Sequence, residues 1–244
     1  MEIINNKARV IRGKLKVKDK TYLSPHLIRI ILDGDDLQLF SKVTVGMNNK
    51  IFIPVAGTEE YIRRTYTSRA LDMEKNEMAI DFVAHGEEGP ASAWAINAKV
   101  GDILEIGMKD KSDPLYPEAE FYLLAGDHTA LPVISVILET LPAHATGHAI
   151  IHVGGLEDII PLKTLSQVKI DWIIGDNENY PDPLFEAVVN ISIPKSKSRY
   201  IFTAAEAGVI RSLRSYFSTI GIERRELAAF AYWHAGIAEG TQAN

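Results

Sequence analysis

Tyr61-Ile62-Arg63-Arg64-Thr65-Tyr66-Thr67-Ser68-Arg69 gathers three arginines, two tyrosines, two threonines and a serine into nine residues. Strand alternation sets Arg64, Tyr66 and Ser68 on one face and Arg63, Thr65, Thr67 and Arg69 on the other. A ring beside a guanidinium and hydroxyls suits a flat anionic ligand: the ring stacks, the guanidinium pairs with phosphate, and the hydroxyls meet a polar ring edge. The same residues would equally serve an exposed strand whose charges face water.

Short apolar runs separated by turn signals surround this stretch. Apolar and basic residues alternate from Ala8 to Lys18, Ser24-Pro25 marks a turn, and His26–Leu32 follows as a second run, broken by Asp33-Gly34-Asp35-Asp36. Lys50–Pro54, the Arg64 strand, Glu77–Val83 and Asp102–Gly107 complete a set of six. Six short strands with little helix predict an antiparallel β-barrel. One segment departs from the pattern: His85-Gly86-Glu87-Glu88-Gly89-Pro90-Ala91-Ser92-Ala93-Trp94-Ala95. Its glycines and proline lead into Ser92, an expected N-cap, and then a short helix carrying Trp94. Small residues at a helix start leave N–H groups open to a phosphate, although a capped connecting helix has the same composition.

Beyond Asp113-Pro114-Leu115-Tyr116-Pro117 the period changes. Phe121–Ala125 is a continuous apolar run, as in a buried parallel strand. Leu131, Ile134, Leu138 and Leu141 then mark a helix face, with Pro132 in its first turn. His148–Val153, Asp171–Asp176, Arg199–Ala204 and Leu227–Trp233 read as strands, Pro183–Val189 as a short helix, and Val209, Leu213 and Phe217 as the face of another. The expectation is a two-domain chain: a β-barrel over 1–116 and a doubly wound parallel α/β sheet over 117–244. The first βα turn reads Ala125-Gly126-Asp127-His128-Thr129-Ala130, not G-x-G-x-x-G, so the usual Rossmann dinucleotide site is not supported. A nucleotide could still bind at the strand ends.

The 244 residues include no cysteine, which excludes disulfides, thiolate metal sites, iron–sulfur clusters and cysteine nucleophiles, and fits a reducing, cytoplasmic setting. A formal charge of −6 argues against a nucleic-acid binder. No apolar run is long enough to span a bilayer, and Met1–Lys7 does not read as a signal peptide. The composition of the tail Gly240–Asn244 reads as unordered. His148 and His152 are four apart but on a strand, so no metal site is expected.

Taken together, Arg64-Thr-Tyr66-Thr67 and His85…Gly89-Pro90-Ala91-Ser92-x-Trp94-Ala95 resemble the flavin-binding half of ferredoxin-reductase-like flavoproteins. Gly126-Asp127-His128-Thr129-Ala130-Leu131-Pro132, Ala205-Glu206-Ala207 with Arg211-x-x-Arg214, and Tyr232-Trp233-His234-Ala235-Gly236 are similar to one branch, the siderophore-interacting proteins, flavin-dependent ferric-siderophore reductases. The resemblance spans nearly the whole chain. It implies FAD, held by Arg64, Tyr66 and Thr67, by His85 and the Gly89-Pro90-Ala91-Ser92 turn with Trp94, and with Asp81, Phe82 and Val83 nearby. Asp127 and Thr129 would face the nicotinamide crevice, Ala130 beside them is a further cofactor-binding residue, and Tyr232 and Trp233 would pack near the flavin's exposed side. Lys50, Lys109 and His234 would form a basic cluster for an anionic ferric siderophore; no catalytic side chain beyond the flavin is implied.

The chain departs from the family at His128, often Glu, and at His234, often Arg, which bears on chelate affinity and its pH dependence. The implied donor is NAD(P)H or reduced ferredoxin. Gly154-Gly155-Leu156-Glu157-Asp158 suits a 2′-phosphate poorly, and Lys195, Lys197 and Arg199 would either serve it or form a solvated loop. Two alternatives are a general flavin or ferredoxin–NADP reductase without preference for iron chelates, and a siderophore carrier without redox chemistry.

Overall fold

The computed structural model describes residues 9–55, 57–86, 89–110, 112–175 and 182–236. The expectations for Met1–Lys7, Glu87, Glu88, Asp176 and the tail Gly240–Asn244 lie outside the described residues. The chain divides into two compact units, one of Ile28–Leu115 with the residues up to Tyr22, the other of Leu23–Leu27 with the residues from Tyr116 onward.

The first unit is a closed six-stranded barrel. Its strands are β1 (Val10–Ser24), β2 (Leu27–Asp33), β3 (Asn48–Pro54), β4 (Tyr61–Asp72), β5 (Glu77–Val83) and β6 (Ile103–Lys109), in the order β1-β2-β5-β4-β3-β6. Alternation drives the closure. Leu15, Val17, Ile28, Ile30, Leu32, Ile51, Met78, Ile80, Leu104 and Ile106 point inward and are buried. Arg12, Lys14, Lys16 and Lys18 of β1 stay outside. A 3-10 helix at Asp35–Phe40 adds Leu37 and Phe40 to this core. The Phe40 ring lies where a Cβ on Gly13 would be, at 3.0 Å, so a side chain there would displace the plug. Helix α1 (Pro90–Asn97) follows β5 and packs Ala91 and Ala95 into the same core.

The first strand is longer than expected. From Lys18 to Tyr22, β1 has residues of both parities exposed or half-exposed, so the polar Asp19-Lys20-Thr21 carries no hydrophobic alternation to read. The chain nonetheless remains extended to the turn at Ser24-Pro25.

The second unit is a five-stranded parallel sheet, order β11-β10-β7-β8-β9, with β7 (Phe121–Asp127), β8 (Thr146–Val153), β9 (Gln167–Ile174), β10 (Arg199–Glu206) and β11 (Leu227–Trp233). Every residue of β7 is buried, as a central parallel strand requires. Phe121, Leu123 and Ala125 share a core with Leu184 and Val188 of α3 (Pro183–Val189) and with Ile210, Leu213 and Phe217 of α4 (Ala207–Thr219). On the opposite face Gly126 lies against Ala130 and Ile134, the latter in α2 (Leu131–Thr140). Helices therefore cover both faces, and the doubly wound arrangement reverses direction between β7 and β10. α2 is buried on all sides from Leu131 to Leu138, whereas α4 is amphipathic. Gly147 adopts φ 144°, and a Cβ there would lie 1.8 Å from the Tyr122 carbonyl oxygen, so β7 and β8 approach closely only because the residue is glycine.

Candidate functional site

Arg64 and Tyr66 sit directly opposite Ile51 and Asn49 in the β3–β4 ladder, so they share the face that carries the barrel core. Both remain half-exposed. The Tyr66 ring lies 4.5 Å from that of Phe82 on β5, and Phe82 lies 5.5 Å from Trp94 on α1. This aromatic chain connects the arginine-rich strand to the middle of α1. Thr67 is buried at the end of the pairing with β3, opposite Asn48. Asn49 is also buried, and both polar atoms of its amide lack a hydrogen-bond partner among the described residues.

The loop between β5 and α1 is held by Ser92, which is fully buried. Its hydroxyl accepts from the His85 N–H at 3.0 Å and donates to the Gly86 carbonyl at 2.6 Å. This corrects the expectation that Ser92 is the N-cap. The helix starts earlier in the motif, at Pro90, with Gly89 as N-cap, no side-chain cap and no acid in the first turn. Proline at the first position is favoured because its missing N–H would have had no partner there. The His85 imidazole covers Gly89 so closely that a Cβ on Gly89 would lie 2.3 Å from its Cε1. The first turn of α1, which among the described residues has no acid and no side-chain cap, and the half-exposed Arg64 of β4 are each suited to an anion. Among the described residues neither Arg63 nor Arg64 pairs with a carboxylate; the Arg64 Nη1 donates to the Arg63 carbonyl at 3.0 Å.

Asp81 follows a different logic from its neighbours Phe82 and Val83. It is buried, and its two oxygens accept from Arg29 Nε and Nη2, both at 2.7 Å, while Arg69 Nε lies 3.9 Å away. Arg69 is the extra residue where the β4–β5 register shifts between Ser68 and Ala70. The bulge turns its guanidinium toward Asp81. Asp81 thus anchors two arginines of the wall. Arg29, 52 residues away in sequence, carries no local signal of this role.

Lys50 and Lys109 lie on the outer barrel face. Lys50 is opposite Gly107 on β6 and Thr65 on β4, and its ammonium donates to the Thr65 hydroxyl. Lys109 is two residues beyond Gly107 on the same face, a diagonal separation of about 7–8 Å. Phe52, two residues from Lys50, has the Arg12 guanidinium stacked 4.1 Å from its ring centre. A Cβ on Gly107 would meet that ring at 3.1 Å. Sequence reasoning missed Arg12 and Phe52, although their alternation with Lys50 and Lys14 was the available signal.

In the second unit both carboxylate oxygens of Asp127 are engaged by the chain itself. It is buried: Oδ1 accepts from the Thr129 N–H at 2.9 Å and its hydroxyl at 2.5 Å, and Oδ2 accepts from the Trp233 indole N–H at 2.7 Å. Burial pushes its carboxyl above the usual range, against the hydrogen bonds from Thr129 and Trp233. Ala130 is buried in the turn. Tyr232 and Trp233 are half-exposed at the end of β11, and His234 beyond them is exposed. His128 is largely buried, which lowers its pKa, and its Nε2 has no partner among the described residues.

His148 and His152, four apart on β8, have separate partners. His148 lies 3.5 Å from Asp171, and the buried His152 bonds the Gly175 carbonyl at 3.0 Å. A cluster not foreseen joins Ser24, His26, Glu157 and Asp158. The buried Asp158 accepts from the Ser24 hydroxyl at 2.7 Å through Oδ1 and lies 2.9 Å from His26 Nδ1 through Oδ2. His26, Glu157 and Asp158 have ligand-type atoms within 4.8 Å of one another. Ser24 and Asp158 are 134 residues apart, and sequence spacing gives no signal of such a pair.

The family model described as siderophore-interacting FAD-binding domain matches residues 56–109, and that described as siderophore-interacting protein matches residues 119–236. The ferric vibriobactin reductase ViuB of Vibrio cholerae is 30% identical over 95% of this chain and 93% of its own. Among solved structures, the siderophore-interacting protein SipS from Aeromonas hydrophila is 33% identical, with TM-score 0.85 over 93% of each chain. A ferredoxin reductase of carbazole 1,9a-dioxygenase, 12% identical, matches 93% of this chain and 71% of its own at TM-score 0.70, which shows the ferredoxin-reductase-like fold alone. The chain belongs to the siderophore-interacting protein family and carries its FAD-binding domain.

Proposed function

We propose that this protein is an FAD-dependent oxidoreductase that reduces ferric siderophores in the cytoplasm, so that iron leaves as the more weakly held ferrous ion, with electrons from NAD(P)H or ferredoxin. The observation that carries this reading is the chain of rings Tyr66, Phe82 and Trp94, which links β4, β5 and α1 on the strand that carries the half-exposed Arg64. Its donor set suits a flavin dinucleotide. Arg64 and the start of α1 would take the pyrophosphate. Tyr66 would offer a ring to the isoalloxazine and Thr67 a hydroxyl, while His85 and Gly89 shape the loop beneath. When bound, FAD accepts two electrons and releases them singly, which matches ferric iron's need for one.

The remaining tasks fall to side chains. Lys50 and Lys109 steer an anionic chelate toward the barrel. The Arg12–Phe52 stack keeps the ring next to them fixed. No protein ligand to iron is required, because the siderophore supplies the coordination; weaker binding of Fe²⁺ by hard oxygen donors favours release. The relatives' names support the substrate class.

The test is chemical identification of what the purified protein carries. Heat denaturation should release FAD, not FMN, in near-stoichiometric yield, and Arg64→Ala should lower that yield at least tenfold. A folded protein that neither carries nor takes up FAD removes the proposal.

A further inference from the structure

The turn Leu23–Leu27 joins β1 to β2 and belongs to the second unit. It brings Ser24 and His26 to Asp158, which lies with Glu157 in a 3-10 turn just beyond the end of β8. Asp158 is only 1% exposed. A carboxylate buried that deeply is normally paired with a cation or bound to a metal. Among the described residues no lysine or arginine pairs with Asp158 or Glu157, and the only cation available to Asp158 is the His26 imidazole.

The cluster is already set out as a ligand sphere. Oδ1 of Asp158 accepts from the Ser24 hydroxyl at 2.7 Å and from the His26 N–H at 3.3 Å, which fixes the carboxylate and turns Oδ2 to the His26 ring. Oδ2 and Nδ1 are 2.9 Å apart. Two ligands held at right angles about 2.1 Å from one ion would be ~3 Å apart. Ligand-type atoms of His26, Glu157 and Asp158 all fall within 4.8 Å of one another. Glu157 folds back over Gly155, where a Cβ would overlap its carboxylate, so this pose needs the glycine. His26 and Glu157 are exposed, which gives an ion a route in and lets both side chains close on it, while the buried Asp158 stays fixed. A second imidazole, His128, is near enough to feel the charges of Asp158 and His26, and its buried Nε2 has no partner among the described residues.

We propose that His26, Glu157 and Asp158 form a binding site for one first-row divalent metal ion. One imidazole nitrogen with two carboxylate oxygens suits Fe²⁺, Mn²⁺ and Zn²⁺. The imidazole disfavours Mg²⁺ and Ca²⁺, and the absence of sulfur from the donor set disfavours Cu⁺. Three protein ligands leave positions for water, so the ion is exchangeable. The site stands apart from the flavin reading, but its occupant rests on it: reduction of a ferric chelate frees Fe²⁺, and these three side chains take up that product without changing its oxidation state.

The test uses the full-length, FAD-loaded protein after dialysis against a chelator. Anaerobic isothermal titration should show one Fe²⁺ bound per chain with a Kd below ~100 µM, undisturbed by ~1 mM Mg²⁺. His26→Ala and Glu157→Gln change exposed side chains, so the fold is kept, and each should weaken Fe²⁺ binding about tenfold or more. His148→Ala, which removes the imidazole beside Asp171, should leave it unchanged. Wild-type binding weaker than ~100 µM overturns the inference. Binding that both variants retain in full overturns it too, and leaves the cluster as a clamp on the turn. Reoxidation of the dithionite-reduced flavin by a ferric chelate is followed on the same samples. Normal reoxidation without Fe²⁺ binding overturns the site and leaves the function standing. Fe²⁺ binding that depends on His26 and Glu157, with no reoxidation, supports the metal site and overturns both the flavin reading and the assignment of the ion as its product.

Discussion

The indole N–H of Trp233 donates to the buried Oδ2 of Asp127 at 2.7 Å, spanning β10, which lies between their two strands. The register of β10 against β11 shifts between Ala205 and Glu206, which brings Glu206 opposite Trp233. Small residues at Ala204 and Ala205 leave room for the ring to cross. Trp233→Phe keeps the ring but strands a buried carboxylate oxygen, and should lower stability by about 1–3 kcal/mol in urea denaturation. The pH dependence follows from the raised carboxyl of Asp127. The folded state holds this proton to higher pH than the unfolded state, so stability falls as pH rises from about 3.9 through the raised value. The Tm of wild type minus that of Asp127→Asn should therefore decline across that window; a flat difference would show that this carboxyl is not displaced.

Asp158 should behave with the opposite sign. Burial opposes its charge, but the hydrogen bonds from Ser24 and His26 prevail and hold its carboxyl below the usual range. Its contribution is present above about pH 3.9 and is lost as pH falls through the lowered value. Asp158→Asn should cost about 1–3 kcal/mol at neutral pH, with the gap to wild type closing in acid. Parallel acid titrations of the two aspartate variants, followed by circular dichroism, should diverge in sign.

His85 and Gly89 make a coupled pair. Gly89→Ala places a methyl within 2.3 Å of the imidazole, so the loop must move and FAD retention should drop about tenfold or more. His85→Ala clears that space, and the double variant should retain FAD better than Gly89→Ala alone. Gly86→Ala meets no atom within 4 Å and carries only the strain of φ 90°, so it should cost about 1 kcal/mol of stability. Equilibrium dialysis of FAD against the four proteins measures this; strictly additive losses would show that the contact is irrelevant to the cofactor.

Charge reversal at Lys50 or Lys109 should slow reduction of an anionic ferric chelate about five- to tenfold at low ionic strength, with little effect on a neutral acceptor. The loss should shrink as salt is added. Equal losses for both acceptors would point to damage to the barrel wall, since Lys50 also holds the Thr65 hydroxyl.

Much of this architecture is legible in the chain because burial is periodic. The continuous apolar run of β7 reads directly as a central strand, and in β3 Ile51 and Ile53 alternate with Lys50 and Phe52. The second half of β1 is illegible because neither face is buried there. At the site, Arg64, Tyr66, Phe82 and Trp94 are visible as types in a motif, and the structure joins the last three through their rings. Ser92 reads as a cap because a serine before a helix has the same local composition as one that ties a loop. The states of Asp127, Asp158 and Glu206 depend on donors distant in sequence, such as Trp233, Ser24 and Ala235, and no local pattern encodes them.

The most direct test of the account is anaerobic. FAD-loaded protein reduced with one equivalent of dithionite is mixed with a ferric catecholate siderophore in the presence of a ferrous chelator. The account predicts full recovery of the oxidised flavin spectrum and about two ferrous ions trapped per FAD, one for each electron the cofactor releases. A flavin that stays reduced, or that reoxidises with no ferrous iron trapped, would contradict it.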